Sequence, residues 1–453
     1  MSPLFCRLRK IIARLERRDI VLEMDWYQWD FKLFLTRLSH HAKFNKKYCL
    51  MHIEKDDIIS QQDLLWAKNY LAGQIRSVDN LMHAHYHGFN LWQIAKGDII
   101  VNLNLAHEKQ MNESHLEKAT EILAEILCVI KCLPDFFKRV QPKAVIVYEG
   151  ARAFSRAIVE TARFCNVRAI ALGTNSLRPG YLFFDNTTGM IINRHRLAKC
   201  GRELLETRIF TAEQRQKALD TWRSEISQKT DQHRTGGIDD HEKIRQQLCL
   251  PVEKPIALLL AHVRNDTSVI YDSPLYNDSV DFIADVIDLF AADLKDWILV
   301  VRLHPKEAGG FSPGGFKFNN ETKQELERRG YFSRENVRIV AEKVYNTYTL
   351  MDVARVGITE VSQAGLEMAM LGKPVVTVGE AFYGHKGFTW DISHPSAFKS
   401  VISDACISSM DTSLRSRIQE QALEFAYALF FEELVADDLS ENFDKVMRTL
   451  EGG

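Results

Sequence analysis

The chain has 453 residues, 46% hydrophobic and 26% charged, with a formal net charge of -2. That length exceeds one ordinary core and points to two or three domains, and the near-neutral charge gives no reason to expect a nucleic-acid partner. No apolar run approaches the ~20 residues of a membrane span, the N-terminus lacks the apolar core of a signal peptide, and the eight cysteines form no CxxC pair, so reduced thiols and a cytoplasmic location are expected.

The first eighteen residues are basic: Arg7, Arg9, Lys10, Arg14, Arg17 and Arg18 interleave with Leu8, Ile11, Ile12 and Leu15. Such a helix either touches anionic lipid or packs on its own domain with a solvated face. Residues 60–140 are mainly helical in pattern. Leu116, Ile122, Leu123, Ile126, Leu127 and Ile130 recur at three and four, with Asn112 or Ser114 as the cap and Glu117 three residues after Ser114. Cys128 and Cys132 share a face of this helix as packing residues. His83, His85 and His87 alternate, but a metal site needs further ligands and fixed geometry, so no metal is expected. Lys143–Tyr148 is a β-branched run ending at Glu149-Gly150. Residues 152–166 read as a helix and Val167–Leu172 as a strand, which together carry the parallel-sheet signature.

Residues 203–248 read as charged helices and a mobile joint, broken at Thr235-Gly236-Gly237, with a domain boundary at about 235–252. Strands follow at Pro255–Val263, Trp297–Leu303, Val337–Val340, Arg355–Thr359 and Pro374–Val378, and helices at 279–293, 345–352 and 363–371. This alternation builds a doubly wound sheet, whose ligands sit outside the strands' carboxyl ends. A last apolar helix, 418–435, is expected to cross back. The division expected is an N-terminal domain 1–205, a helical linker 206–249, a second domain 250–405 and C-terminal helices 406–453.

Strand ends then supply the site residues. Residues 354–389 read as strand, small-residue turn, helix and strand, and a helix start at a strand's carboxyl end favours phosphate. There Ser362 either caps the helix or binds a phosphate oxygen, Gln363 follows it, and Gly365 lets a ligand approach the backbone. Arg302, His304 and Lys306 alternate past a buried strand and could converge on an anion. The His304-Pro305 step fixes the backbone there. His262, Arg264, Asp266 and Thr267 follow another strand end, as ligand groups or as turn and cap residues. Tyr383, His385 and Lys386 lie in a Gly-flanked loop able to close over a ligand.

These segments carry a resemblance. Leu177-Arg178-Pro179-Gly180-Tyr181 with Phe184-Asp185 and Gly189 resembles the Arg-Pro segment of bacterial capsule polysaccharide synthesis proteins. Ala261–Ser268 resembles that family's Gln-Val-x-x-Asp-Ser turn, and Arg302-Leu303-His304-Pro305-Lys306 its His-Pro motif. Gly365-Leu366-Glu367, Gly372-Lys373-Pro374-Val375, Gly379, Ala381-Phe382-Tyr383 and Gly387-Phe388-Thr389 resemble its closing signature. The matches run in order over residues 143–392. The chain departs from the pattern at Gly173–Ser176, where Glu-Asn-Gly or Glu-Asp-Gly is expected, and at Glu360–Gln363, where Asn-Ser is expected.

The resemblance implies an α/β protein of the GT-B glycosyltransferase type, two Rossmann-like domains facing a central cleft. It implies a retaining β-Kdo transferase of surface polysaccharide synthesis, moving Kdo, an eight-carbon keto-sugar acid, from CMP-Kdo to a glycan or glycolipid acceptor. No cofactor or metal is needed, because cations and backbone amides hold one phosphate and one carboxylate. The basic N-terminus would then touch the inner face of the bacterial inner membrane. Donor binding falls to His262, Arg264, Asp266, Thr267, Arg302, His304, Lys306, Ser362, Gln363, Gly365, Glu367 and Tyr383. Glu367 accepts ribose hydroxyls or else compensates the helix dipole. Asp185 is the nucleophile that holds the sugar covalently, or else the head of a turn through Gly189. Glu149 is the general base or a helix cap paired to Arg152, and Arg178 binds acceptor, orients Asp185 or forms a structural ion pair. His83, His85 and His87 fit the wall of an acceptor pocket. The alternatives are a UDP-sugar 2-epimerase-like enzyme, which shares the two-domain plan, and a non-catalytic polysaccharide assembly component.

Overall fold

The computed structural model describes residues 18–24, 31–175, 177–185, 196–200, 202–228, 237–310, 319–341 and 344–452. The basic segment up to Arg17, the turn residues 186–189 and Thr235-Gly236 lie outside the described residues. The strands of its two main sheets are β1 (Asp19–Glu23), β2 (Tyr48–His52), β3 (Ala144–Tyr148), β4 (Arg168–Thr174), β5 (Tyr181–Asp185), β6 (Ile256–Leu260), β7 (Ile298–Arg302), β8 (Val337–Val340), β9 (Val356–Thr359), β10 (Val375–Thr377), β11 (Trp390–Asp391) and β12 (Leu434–Ala436). The helices used below are α1 (Lys32–His40), α2 (Leu91–Asn102), α3 (Leu116–Val140), α4 (Ala153–Phe164), α5 (Ala212–Gln228), α6 (Thr267–Asp272), α7 (Ser279–Ala292), α8 (Thr347–Val353), α9 (Gln363–Met370), α10 (Thr412–Ala428) and α11 (Phe443–Glu451).

The chain forms two compact units. Unit 1 is Met1–Asn175, Pro179–Arg196 and Phe431–Gly453; unit 2 is Ser176–Arg178 and Leu197–Phe430. Each contains a six-stranded sheet, ordered β12-β5-β4-β3-β1-β2 in unit 1 and β8-β7-β6-β9-β10-β11 in unit 2. The unit 2 sheet is parallel throughout. In unit 1, β5 and β12 join as antiparallel strands. Each unit is thus the Rossmann-like α/β form that the sequence pattern predicts.

Burial explains why these runs are strands. Ala144–Tyr148, Ile256–Leu260 and Ile298–Arg302 are buried at every residue, as parallel strands covered on both faces must be. In unit 1 one face packs Val21, Ile146, Ile170 and Phe184 against Phe34 and Leu38 of α1 and Val446 and Leu450 of α11. In unit 2, Leu259, Val301 and Ile358 pack against Phe282, Ile283, Val286 and Phe290 of α7. The periodic stripe of α3 buries Leu123, Ile126, Leu127 and Ile130 as expected. Asn112 caps the short 3-10 turn that leads into α3, its Oδ1 accepting from the Ser114 amide at 3.0 Å.

The apolar stretch 418–435 is not one helix. α10 ends at Ala428, a π-helical turn covers Leu429–Glu433, and Leu434–Ala436 pairs antiparallel with β5. A short apolar run fits a helix or a buried strand equally well, and the open edge of β5 decides it. The stretch 206–249 contains α5, held in unit 2 by Arg215–Glu424 at 2.8 Å and by Trp222, whose indole donates to Glu367 at 3.2 Å.

Candidate functional site

The winding of unit 2 reverses at β6. The chain runs outward through β7 and β8, then returns to β9 on the other side. Ligands of open α/β sheets sit beside the carboxyl ends at such a reversal, and four sequence segments meet there. After β6, His262 is buried, and its Nδ1 lies 3.2 Å from Asp266 Oδ2. Asp266 also caps α6, its Oδ1 accepting from the Ser268 amide at 2.8 Å. Burial pushes the Asp266 carboxyl up. The hydrogen bond and charge of His262, the Ser268 amide and the charge of His304 outweigh it and hold Asp266 well below the usual carboxylate range. Asp266 is therefore an anion, held by the His262 ring and the Ser268 amide. Thr267, the first residue of α6, is half-buried beside it.

Arg264 turns aside from this cluster. Its Nη2 donates to Asp278 Oδ2 at 2.6 Å and its Nε to both carboxylate oxygens at 3.2 Å. Asp278 in turn caps α7 through the Val280 amide. This forked pair fixes a loop to a helix start, which is a structural use of the guanidinium expected to touch the donor.

The His-Pro segment departs from the expected alternation. β7 ends at Arg302, and Pro305–Glu307 is a 3-10 turn capped by His304, whose Nδ1 accepts from the Lys306 amide at 3.2 Å. Alternation therefore stops at His304, and Lys306 is exposed on the turn. The reason is Pro305, whose fixed φ suits the first residue of a helical turn. Arg302 is 2% exposed. Burial pushes its guanidinium down to about 10. Glu307, three residues past the histidine, is also 2% exposed and accepts from Thr322 Oγ1 at 2.7 Å. Burial pushes its carboxyl up to about 7. Sequence reading passed over Glu307; an acid one turn past the His-Pro step is the only signal it leaves.

Glu360, noted only as a departure from a family pattern, is a second buried acid. It is 1% exposed and ends the β9 side of the reversal. Its oxygens accept from Ser273 Oγ at 3.1 Å and Ser279 Oγ at 2.7 Å. Burial raises its carboxyl above the usual range, against the opposing charge of His262 and the two serine hydroxyls. Its place after a buried strand, with serines distant in the chain, could not be read from spacing.

Ser362 caps α9, Oγ accepting from the Ala364 amide at 3.3 Å, and Gln363 opens the helix half-buried. At Gly365 a Cβ would lie 1.9 Å from Tyr383 Oη, so the missing side chain makes room for the buried Tyr383 ring. Tyr383 then donates to the Ser362 carbonyl at 2.6 Å, and burial holds its phenol well above its ordinary value. Glu367 is fully buried and accepts from Trp222 and from Tyr348 Oη at 3.1 Å. Both donors reach Oε1, so this carboxylate oxygen ties α5 and α8 to α9. The Gly372-Lys373 step is structural too. Gly372 takes a φ of +71° to end α9. The buried Lys373 ammonium donates to the carbonyls of Met351, Asp352 and Ala354, closing the end of α8. In the loop beyond, Lys386 donates to the carbonyls of Ala198 and Cys200, and the His385 amide donates to Asp391 at 3.0 Å.

The unit 1 residues are more dispersed. Glu149 follows β3 with a φ of +46°, a strained conformation for glutamate, and its amide donates to the Leu172 carbonyl at 2.8 Å. Arg152 pairs with Asp98 at 2.6 Å, and Asp98 Oδ2 accepts from the Ala153 amide at the start of α4. Asp185 pairs with Ala171 in the antiparallel β4–β5 ladder, so it lies three rungs below the carboxyl end of β4 at Thr174. Arg178 belongs to unit 2, where it donates to the Phe430 carbonyl at 2.6 Å. His83, His85 and His87 are all exposed. Among the described residues no group of three His, Cys, Asp or Glu could hold a metal ion, and no helix is long and apolar enough to cross a membrane.

Comparison with known families bears on unit 2. Residues 208–415 match the family described as capsule polysaccharide biosynthesis protein. The match takes in the reversal at β6, the His-Pro segment and the closing signature; the Arg-Pro segment lies before it. No curated protein matches the chain. Among solved structures, the chain is similar to two KpsC structures of Thermosulfurimonas dismutans. The β-Kdo 2,7 transferase is 16% identical, with 71% of this chain and 89% of that chain covered and a TM-score of 0.40. The β-Kdo 2,4 transferase is 18% identical, with 68% and 87% covered and a TM-score of 0.42. The UDP-GlcNAc 2-epimerase of Neisseria meningitidis bound to UDP-GlcNAc is 12% identical, with 91% and 98% covered and a TM-score of 0.34. At these TM-scores the likenesses carry no argument about chemistry.

Proposed function

We propose that the protein is a glycosyltransferase that moves Kdo, or a related ulosonic acid, from its CMP-activated form to a glycan or glycolipid hydroxyl with retention. What supports the reading is the grouping, inside the family-matched stretch, of the His262–Asp266 pair, the strand end at the buried Arg302 and the capped start of α9 at the reversal of a parallel sheet. An anionic sugar nucleotide is the ligand class such a rim suits, and no metal is required for it.

In this reading unit 2 holds the cytidylate, with Arg302, His304 and the start of α9 toward its anionic groups. Asp185 of unit 1 carries the nucleophile's role by resemblance. Its oxygen bonds to the anomeric carbon as the bond to the phosphate oxygen breaks and CMP leaves. The acceptor hydroxyl then displaces the carboxylate, and two displacements give retention. Isothermal titration with CMP and with UDP, followed by incubation with CMP-Kdo and glycolipids and mass spectrometry, tests this. CMP binding with transfer is expected. Tighter binding of UDP with release of free sugar selects the epimerase reading. Absence of both CMP binding and transfer overturns the assignment. Asp185→Asn is expected to lower the transfer rate at least about a hundredfold, whereas a non-catalytic assembly component would tolerate it.

A further inference from the structure

The His-Pro segment of unit 2 is tied down at its far end by an acid. Glu307 closes the 3-10 turn Pro305–Glu307 that His304 caps. Its carboxyl accepts from Thr322 Oγ1 at 2.7 Å, and its backbone carbonyl accepts from the Asn320 amide at 3.0 Å. One residue thus joins the strand-end turn to the start of the helix Glu321–Arg328. The second carboxyl oxygen, Oε2, is shut off from solvent and has no hydrogen-bond partner among the described residues. The charged groups around it supply no counter-ion. Arg264, on the loop after β6, is forked onto Asp278. Glu325, on the helix beyond, is held by Arg328 and Arg329. Glu321 adds negative charge, and Lys306 is exposed on the turn.

A carboxylate with a bare, buried oxygen is an uncompensated charge, and a neutral carboxylic acid costs far less in the same place. We propose that anion binding at the rim of unit 2 is coupled to a proton on Glu307. The neutral acid is the form that binds, and loss of its proton to solvent weakens the grip. The inference rests on the donor reading, adds regulation by pH to it and concerns unit 2 alone. In that reading Arg302 and His304, on the same segment as Glu307, face the ligand's anionic groups. An ionised Glu307 sets a like charge beside that ligand in a medium that screens poorly. It also strains the tie between turn and helix. Burial pushes the Glu307 carboxyl up to about 7; the hydroxyl and amide of Thr322 and the amide of Arg264 oppose this, and the charge of Glu321 adds to it. The neutral form therefore prevails below that value and the anion above it. Affinity should be full at acid pH and fall as pH rises through about 7.

The test uses the full chain and the methyl ester of CMP, whose phosphate keeps one negative charge across the pH range. By isothermal titration the wild type is expected to bind about tenfold more weakly at about pH 8 than at about pH 6, because the competent fraction falls to about one tenth. Glu307→Gln keeps a neutral side chain of the same shape and should bind within about twofold at the two pH values. Histidine also titrates in this range. A decline that persists undiminished in Glu307→Gln therefore belongs to His262 and His304 and overturns the inference. A second measurement needs no variant. Titration of the wild type at about pH 7.5, in two buffers of different ionisation enthalpy, should show uptake of more than about half a proton per ligand bound. No proton uptake, or wild-type affinity equal at the two pH values, also overturns the inference and leaves the donor reading standing. Wild-type protein that binds neither CMP nor its methyl ester at any pH overturns both.

Discussion

The two units reverse their sheets in the same way and end them in different chemistry. In unit 2 the rim after β6, β7 and β9 gathers two histidines, a buried arginine and three acids, each acid engaged by protein donors: Asp266 by His262 and Ser268, Glu307 by Thr322, Glu360 by Ser273 and Ser279. In unit 1 the rim after β1 and β2 sets the half-exposed His52 between the buried Glu23 and the exposed Glu54. Topology sets where a ligand can sit, and the residue that closes each strand sets what it meets. The first rim engages its acids with protein donors; the second leaves a histidine half-exposed between two acids.

Several measurements would break or sharpen this contrast. The largest effect should be in pH dependence, through Glu307. Its carboxyl holds a proton up to about 7 in the folded protein, against an ordinary value of 4.5. Between those values the folded state binds more protons than the unfolded chain, so stability is full at acid pH and falls as pH rises, by on the order of 3 kcal/mol in all. Glu307→Gln should flatten that slope, read from urea unfolding at pH 4.5 and pH 8; an unchanged slope would show that the rim is not held by a protonated acid. Next, Arg302→Met should weaken CMP binding about 100-fold, the worth of charge-assisted hydrogen bonds, with unit 2 still folded by near-ultraviolet circular dichroism. Unweakened CMP binding would remove the anion role from this rim.

Gly365→Ala forces a methyl group against Tyr383 and should cost about 2 kcal/mol in thermal unfolding. Truncating the ring in Gly365→Ala/Tyr383→Leu should recover part of the loss; no recovery would mean that the glycine serves something other than the ring. The smallest effect is expected of Ser362→Ala, about 1 kcal/mol for a lost cap. If CMP affinity also drops tenfold or more, the hydroxyl meets a phosphate oxygen as well as the Ala364 amide.

The fold of unit 2 was legible because its strands are continuous apolar runs separated by periodic helices. Val337–Val340 is predicted and found with the same ends, and the helices at 279–293 and 363–371 differ from α7 and α9 by one residue. Unit 1 was half legible. β3, α4 and β4 follow the pattern, whereas β1, β2, β5 and β12 were missed. These strands have three to five residues, and β8, β9 and β10, which were read, have three to four; what unit 1 lacks is the regular strand–helix alternation, since β5 and β12 join antiparallel and β12 is built from a segment far along the chain.

The sequence by itself determined which residues carry charge and where strands give way to turns, so His262, Asp266, Arg302 and His304 could be named as strand-end groups. Those properties are local, set by side-chain chemistry and alternation along a few residues. Only the tertiary structure decided how each group is used. It put Tyr383 into the space above Gly365, gave Glu367 to Trp222 and Tyr348, bound Arg264 to Asp278, and set Glu23 against His52. Each of these pairings joins residues from 14 to 145 positions apart, and sequence pattern holds no distance between residues that are not neighbours. Burial then fixed their ionisation, because the water each group loses depends on everything packed around it.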